Sequence, residues 1–288
     1  MTATCPPALR SEILSTLGIG DTCHVIHAPT DRPEISYSVK LSPTLDEAKE
    51  SLVKAVQDWI KKRPSSFRGL VYCRSKAQVE EIASMIGCKA FHADRPAEER
   101  VTSFKDWTEG RESFLVCTSL LGCGIDVEGV GIVFHFGTPW SILDFVQESG
   151  RAGRGGKHSF SIVYASKDER DLDRGDNDPY GKATMREWVL QNTVCRRTAL
   201  STFLDNRRVT CTLLKGAVFC DVCSAESLRP HPGRLVAFST LTTPTGDIPR
   251  LRKPLTIPPS SLEYAIAQRP PIERTRWVIL ILISCRFH

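Results

Sequence analysis

Short apolar runs alternate with amphipathic segments from about residue 68 to residue 165, and this alternation limits the fold more than any other feature of the sequence. Leu70-Val71-Tyr72-Cys73, Phe114-Leu115-Val116-Cys117 and Ile132-Val133-Phe134-His135 read as short buried strands. Ala90-Phe91-His92 begins another, and Phe160 to Tyr164 forms the last. Lys76 to Ile86, Ala97 to Trp107 and Ser141 to Gly150 lie between them with helical spacing. Parallel strands joined by crossover helices bury both faces of their sheet, so the spacing predicts an α/β unit of three layers. Upstream, residues 8 to 17 repeat apolar residues at helical intervals after Pro6-Pro7, and Ile35 to Leu41 alternates as a strand. Residues 44 to 62 predict a helix with Leu45, Ala48, Leu52, Val56 and Trp59 on one face.

Outside this region the composition changes. Residues 167–230 are polar, helical in pattern and rich in cysteine, and residues 231–288 are dense in proline, which predicts an extended, poorly ordered tail. The chain of 288 residues carries a formal charge of +5, which permits a polyanionic partner without requiring one. Its eleven cysteines are odd in number and scattered, and no leader-like segment opens the sequence. That usage predicts a reducing compartment, nuclear or otherwise intracellular, rather than a secreted disulfide framework. The apolar stretch 277–283 is far shorter than the ~20 residues needed to span a bilayer.

Chemistry concentrates in Gln147-Glu148-Ser149-Gly150-Arg151-Ala152-Gly153-Arg154-Gly155-Gly156. Glycines let a backbone approach a ligand closely, and planar guanidinium groups match phosphate oxygens in pairs. Two arginines on such a turn suit the charge that develops on a transferring phosphoryl group. Arg74-Ser75-Lys76 ends a strand where parallel sheets bind ligands. Cys117-Thr118-Ser119-Leu120-Leu121-Gly122-Cys123-Gly124-Ile125-Asp126 combines hydroxyls, glycines and a carboxylate after another strand. Its amides and hydroxyls can hydrogen-bond phosphate. Cys220-Asp221-Val222-Cys223 forms a C-x2-C knuckle, with Cys195 and Cys211 upstream. Four thiolates suit a closed tetrahedral Zn²⁺ site, and nothing around the knuckle suggests a thioredoxin-like redox motif.

The order of these motifs resembles the RecQ-like branch of the superfamily 2 helicases. Gln147–Gly156 is similar to motif VI, usually Q-E-x-G-R-A-G-R-D-G, with Gly155 in place of the aspartate. Tyr72-Cys73-Arg74-Ser75-Lys76 resembles motif IV, and Phe91-His92-Ala93-Asp94 resembles a Y-H-A-G segment in which Asp94 replaces glycine. Residues 117–126 resemble motif V, and Thr2-Ala3-Thr4-Cys5-Pro6-Pro7 resembles motif III, which closes the first RecA-like lobe. Cys195-Arg196-Arg197 through Leu204 resembles the helix that opens the RecQ zinc-binding domain. The family usually writes its last three cysteines as C-x2-C-x2-C. Here eight residues separate Cys211 from Cys220, so Cys211 is the least fixed of the four ligands.

The resemblance implies an ATP-dependent 3′-to-5′ DNA helicase, active in recombination and repair, using ATP, Mg²⁺ and Zn²⁺. It divides the chain into residues 1–40 (end of lobe one and linker), 41–166 (second RecA-like lobe), 167–230 (zinc-binding subdomain) and 231–288 (tail). Arg154 and Arg151 are implied as arginine fingers with Gln147 beside them, and Gly124 and Asp126 as further cofactor-binding residues. Arg74, Ser75, Thr118, Gly122, Arg196 and Arg197 are implied to contact DNA, and Cys195, Cys211, Cys220 and Cys223 to hold zinc. The sequence contains no G-x-x-x-x-G-K-[ST] phosphate loop and no D-E-x-H magnesium motif. This chain is therefore expected to begin near the end of lobe one and to lack substantial ATPase activity by itself. A non-catalytic zinc- and DNA-binding remnant is the alternative.

Overall fold

The computed structural model describes residues 5–18, 27–62, 67–122, 127–169 and 178–227. A six-stranded, wholly parallel sheet lies at its centre: β1 (Ile35–Ser42), β2 (Arg68–Cys73), β3 (Lys89–Phe91), β4 (Phe114–Cys117), β5 (Val130–Phe136) and β6 (Ser159–Ser166). Their spatial order is β1-β6-β5-β2-β4-β3. The α/β expectation therefore holds, and strand and helix limits lie close to those predicted. The strand expected over Ile35 to Leu41 is β1, which pairs with β6 from Ile35↔Ser159 to Ser42↔Ser166.

Two helices cover one face of the sheet, α2 (Leu45–Lys62) and α3 (Lys76–Ile86). Leu52, Val56, Val79 and Ile82 pack there on Val71, Ile132 and Phe134. Acidic residues open α2 and basic residues close it, complementing the helix dipole. A capping box formed by Ser75 and Gln78 starts α3, and Gly87 in the left-handed conformation ends it. The opposite face carries α4 (Ala97–Thr108), a 3-10 turn at Ser119–Gly122, and α5 (Ile142–Ser149). Leu70, Tyr72, Leu115 and Val133 face Trp107, Leu121 and Ala152 on this side. The Trp107 indole N–H donates to the Gly69 carbonyl at 3.0 Å, which satisfies its polar atom inside the core.

Towards the β1 edge the same face is completed by α1 (Pro7–Thr16), α6 (Lys182–Leu190), α7 (Arg196–Asp205) and α8 (Asp221–Ser227). Leu9, Tyr37, Phe145, Val163, Trp188, Leu204 and the four cysteines of 195–223 share one apolar cluster here. Among the described residues, no helix is long and apolar enough to cross a membrane.

Candidate nucleotide-binding loop and metal centre

The arginine run begins at the end of α5. Ser141 caps that helix by accepting the Asp144 N–H at 3.1 Å, and the chain leaves it at Gly150. Ala152 is fully buried on the sheet, and the Gly153 N–H donates to the Val130 carbonyl at 3.1 Å. Gly153, Gly155 and Gly156 all take positive φ, which turns the chain sharply back to β6. Arg151 and Arg154 line one shallow depression with Leu70, Trp107, Leu121, Val127 and Val130. Arg151 is buried, within electrostatic reach of Tyr72, Cys117 and Glu148, whereas Arg154 is half-buried. Gln147 is exposed on α5 one turn earlier.

A polar pair underlies the loop. The Nε2 atom of His135 on β5 lies 3.1 Å from the Glu148 carboxylate, and both side chains are buried. His135 is stacked on Tyr72 with ring centroids 5.6 Å apart. Burial pushes the Glu148 carboxyl up from the usual range, while His135 and Arg151 pull the other way.

Sequence reasoning missed the residue that holds this loop. Arg32 donates from Nη1 to the Gly150 carbonyl at 2.9 Å and from Nη2 to the Ala152 carbonyl at 2.7 Å, while its Nε pairs with Glu34. The Gly150 contact joins positions separated by 118 residues, so no local spacing could have announced it.

The implied DNA-contacting residues fall into two groups. Arg74, Ser75 and Thr118 sit at the carboxyl ends of β2 and β4. The Arg74 guanidinium lies 4.1 Å above the Trp140 ring and 3.2 Å from Glu169. Glu169, also missed from sequence, accepts the Thr138 and Ser166 backbone N–H groups and so ties Arg74 to the ends of β5 and β6. Ser75 accepts the Gln78 N–H at 3.2 Å as the cap of α3. Thr118 is half-buried before the 3-10 turn that ends at Gly122. Gly124, Asp126 and the Thr2–Thr4 segment lie outside the described residues.

Arg196 and Arg197 require a correction. Both are only 3% exposed. Arg196 grips the Asp221 carboxylate at 2.9 and 3.1 Å and donates to the Gln191 and Trp188 carbonyls. Arg197 donates to the carbonyls of Arg32, Pro33, Ile35 and Val218, and it lies over the Tyr37 ring. Their donors are spent on the interior, so they organise the subdomain instead of presenting charge to DNA phosphates.

The four cysteines converge despite the unusual spacing of Cys211. All are buried, and their sulfurs lie within 4.8 Å of one another, with Cys195–Cys211 at 3.6 Å and Cys195–Cys220 at 3.9 Å. A tetrahedral zinc with bonds of about 2.3 Å has sulfur–sulfur edges of about 3.8 Å. The backbone N–H of Cys211 points at the Cys195 sulfur and that of Cys220 at the Cys211 sulfur, each at 3.3 Å. Such donors favour thiolates. Hydrogen bonds from Cys211 and Cys220 hold the Cys195 thiol far below its ordinary range, whereas burial raises Cys223 to about 12. The donor set and its dimensions fit a closed structural Zn²⁺ site.

Comparison with known proteins agrees with this architecture. The family of the helicase conserved C-terminal domain matches residues 50–156. The chain is 27% identical to the ATP-dependent DNA helicase Q5 of Rattus norvegicus over 254 residues, 79% of this chain and 26% of that protein. It is 28% identical to the ATP-dependent DNA helicase hus2/rqh1 of Schizosaccharomyces pombe over 245 residues, 79% of this chain and 18% of that protein. Against the ATP-dependent helicase SGS1 of Saccharomyces cerevisiae the identity is 28% over 171 residues, 58% of this chain and 11% of that protein. The chain thus spans about a quarter or less of the length of these curated relatives. Residues 50–156 thus match the helicase conserved C-terminal domain on a parallel sheet, and the chain is similar to RecQ-family DNA helicases over about 79% of its length.

Proposed function

We propose that the chain is the second lobe and zinc-binding segment of an ATP-dependent, 3′-to-5′ DNA helicase of RecQ type that acts in recombination and repair in the nucleus. The observation that supports this reading best is the pair Arg151 and Arg154 lining one depression on a sharply turned glycine loop. Paired guanidinium groups there can meet the phosphates of a nucleotide held with Mg²⁺ by a partnering lobe. Arg154, the less buried of the two, is the arginine finger; Arg151 supports it, and Gln147, Gly124 and Asp126 complete the nucleotide side. Arg74, Ser75, Thr118 and Gly122 contact the DNA backbone at the carboxyl ends of the strands. The four cysteines hold Zn²⁺, which fixes the fold of residues 195–223.

A non-catalytic zinc- and DNA-binding module is the second reading. It is favoured by the lack of a G-x-x-x-x-G-K-[ST] or D-E-x-H motif in the 288 residues. Two assays on the purified chain separate the readings. Binding to single-stranded DNA through three or four phosphates weakens roughly 20- to 50-fold between 50 and 200 mM salt. ATP hydrolysis is the deciding measurement. Hydrolysis that is stimulated by DNA and lost in Arg154→Ala supports a complete helicase engine. Salt-sensitive DNA binding without hydrolysis supports a lobe that works only with a partner. Neither binding nor hydrolysis overturns both readings.

A further inference from the structure

The loop that carries Arg151 is held from outside by a side chain whose own backbone is held by the cysteine-bearing subdomain. We propose that Arg32 is a positioning residue for the arginine loop and that metal occupancy at Cys195, Cys211, Cys220 and Cys223 reaches that loop through Arg197 and Arg32. The proposal deepens the nucleotide reading above, but its geometry and its test stand without any nucleotide.

The first step is the fork of Arg32. Its two terminal nitrogens donate to the carbonyls of Gly150 and Ala152, the residues on either side of Arg151. The Gly150 carbonyl lies in the peptide plane that enters Arg151 and the Ala152 carbonyl in the plane that leaves Ala152, so the fork holds both ends of the Arg151-Ala152 segment and limits the direction in which the Arg151 side chain leaves. The guanidinium plane spans two acceptors at once, which a lysine ammonium on a single point cannot reproduce. Glu34 holds the remaining Nε and keeps the fork in line. Its backbone carbonyl accepts the Ser159 N–H at 2.9 Å, where the chain re-enters β6.

The second step is the anchoring of residues 30–36 on the subdomain. Arg197 donates to the carbonyls of Arg32 at 2.7 Å and Ile35 at 2.6 Å, and to those of Pro33 and Val218. The Val218 N–H returns to the Pro33 carbonyl at 2.9 Å, and the Ser36 hydroxyl donates to the Phe219 carbonyl at 2.8 Å. Asp205 at the end of α7 accepts both the N–H and the hydroxyl of Thr30. Arg197 lies two residues after Cys195, and Val218 lies two residues before Cys220. A metal that fixes Cys195 and Cys220 therefore fixes both ends of the clamp on residues 32–35. From there the Arg32 side chain reaches the loop.

Hydrogen exchange followed by mass spectrometry on the full metal-loaded chain tests this. Arg32→Ala is expected to speed exchange in 150–156 at least tenfold and to leave 45–62 and 68–73 unchanged; Arg32→Lys, which keeps one carbonyl, falls between. Extracting the metal with a chelator speeds exchange at 30–36 and 150–156 together in the wild type. In Arg32→Ala it adds nothing at 150–156, because the link is already cut. Undisturbed protection at 150–156 in Arg32→Ala overturns the positioning role. Chelation that loosens 195–227 alone, or that adds its full effect at 150–156 in Arg32→Ala, overturns the relay. A general rise in exchange across 45–73 in the variant assigns Arg32 to overall stability and also refutes the proposal, and this holds if Arg32→Ala fails to fold while Arg32→Lys matches the wild type.

Discussion

Two glycines in the arginine loop look alike in sequence and differ in space. Gly153 has φ +72°, and a Cβ built on it would meet the Glu34 Cγ at 2.8 Å. Gly155 has φ +85° with nothing within 4 Å of the same point. Gly153→Ala therefore combines left-handed strain with a clash and is expected to cost about 2–4 kcal/mol in chemical unfolding. Gly155→Asp, which restores the residue usual at this position in the resembled family, meets only the strain. Aspartate tolerates that region, so the cost is about 1 kcal/mol or less. Equal losses for the two variants would show that backbone strain alone sets the sequence of this turn. Arginine gave sequence reading its plainest failure for a related reason. Arg196 and Arg197 lie on a polar segment and read as surface charge, but long side chains with several donors can be spent on buried carbonyls. Only the packing of residues 30–36 and 218–221 reveals which. Truncating Arg197 to alanine removes a donor from four carbonyls, of which those of Arg32 and Pro33 keep a backbone N–H, and its expected cost is about 2–3 kcal/mol.

Elements were more legible than their contacts. The capping box at Ser75 and the Ser141 cap mark where α3 and α5 start, and the apolar runs at 70–73 and 114–117 are too short for anything but buried strands. The sheet's edge was less legible, because β1 buries its alternate residues on one side only and resembles many linker strands. Arg32, Trp140 and Glu169 carry no periodic signal at all, and the partners that matter here, Gly150 and Ala152 for Arg32 and Arg74 for the other two, are distant in sequence. The element that joins fold to chemistry is α5, whose Glu148 lies under the arginine loop against His135. Its carboxyl is raised by burial, so the neutral form is favoured in the folded state relative to the unfolded chain. The sign follows from linkage. The stability contributed by the neutral acid is fully present below the ordinary glutamate pKa and is lost as pH rises through the raised folded value. Glu148→Gln, which cannot ionise, is expected to flatten this segment of the unfolding profile in urea titrations between pH 4 and 7. An unchanged slope would assign the pH dependence to other carboxylates.

At the scale of the whole molecule, the cysteine subdomain covers a sheet edge as well as bracing a loop. β1 pairs with β6 on one side only, and an unpaired strand edge is a template for association with another chain. The outer side is occupied by the subdomain. The Asp221 carboxylate accepts the Val39 N–H at 3.0 Å, Ser36 donates to the Phe219 carbonyl, and Arg197 takes the Ile35 carbonyl. Asp221 lies between Cys220 and Cys223 and is also the partner of Arg196. Four thiolates without a cation repel one another, and a structural metal contributes its binding free energy directly to folding. Removing it is therefore expected to free Asp221 and Phe219 from β1 before the centre of the sheet is disturbed. Two measurements on chelated or Cys220→Ser protein follow. Amides of 35–42 should lose protection while those of 68–73 and 114–117 keep theirs, and light scattering should rise with protein concentration as bare edges pair. Loss of protection across all six strands together would instead make the metal site and the lobe a single cooperative unit. Scattering that stays flat while 35–42 opens would mean that the exposed edge is too short and too polar to recruit another chain.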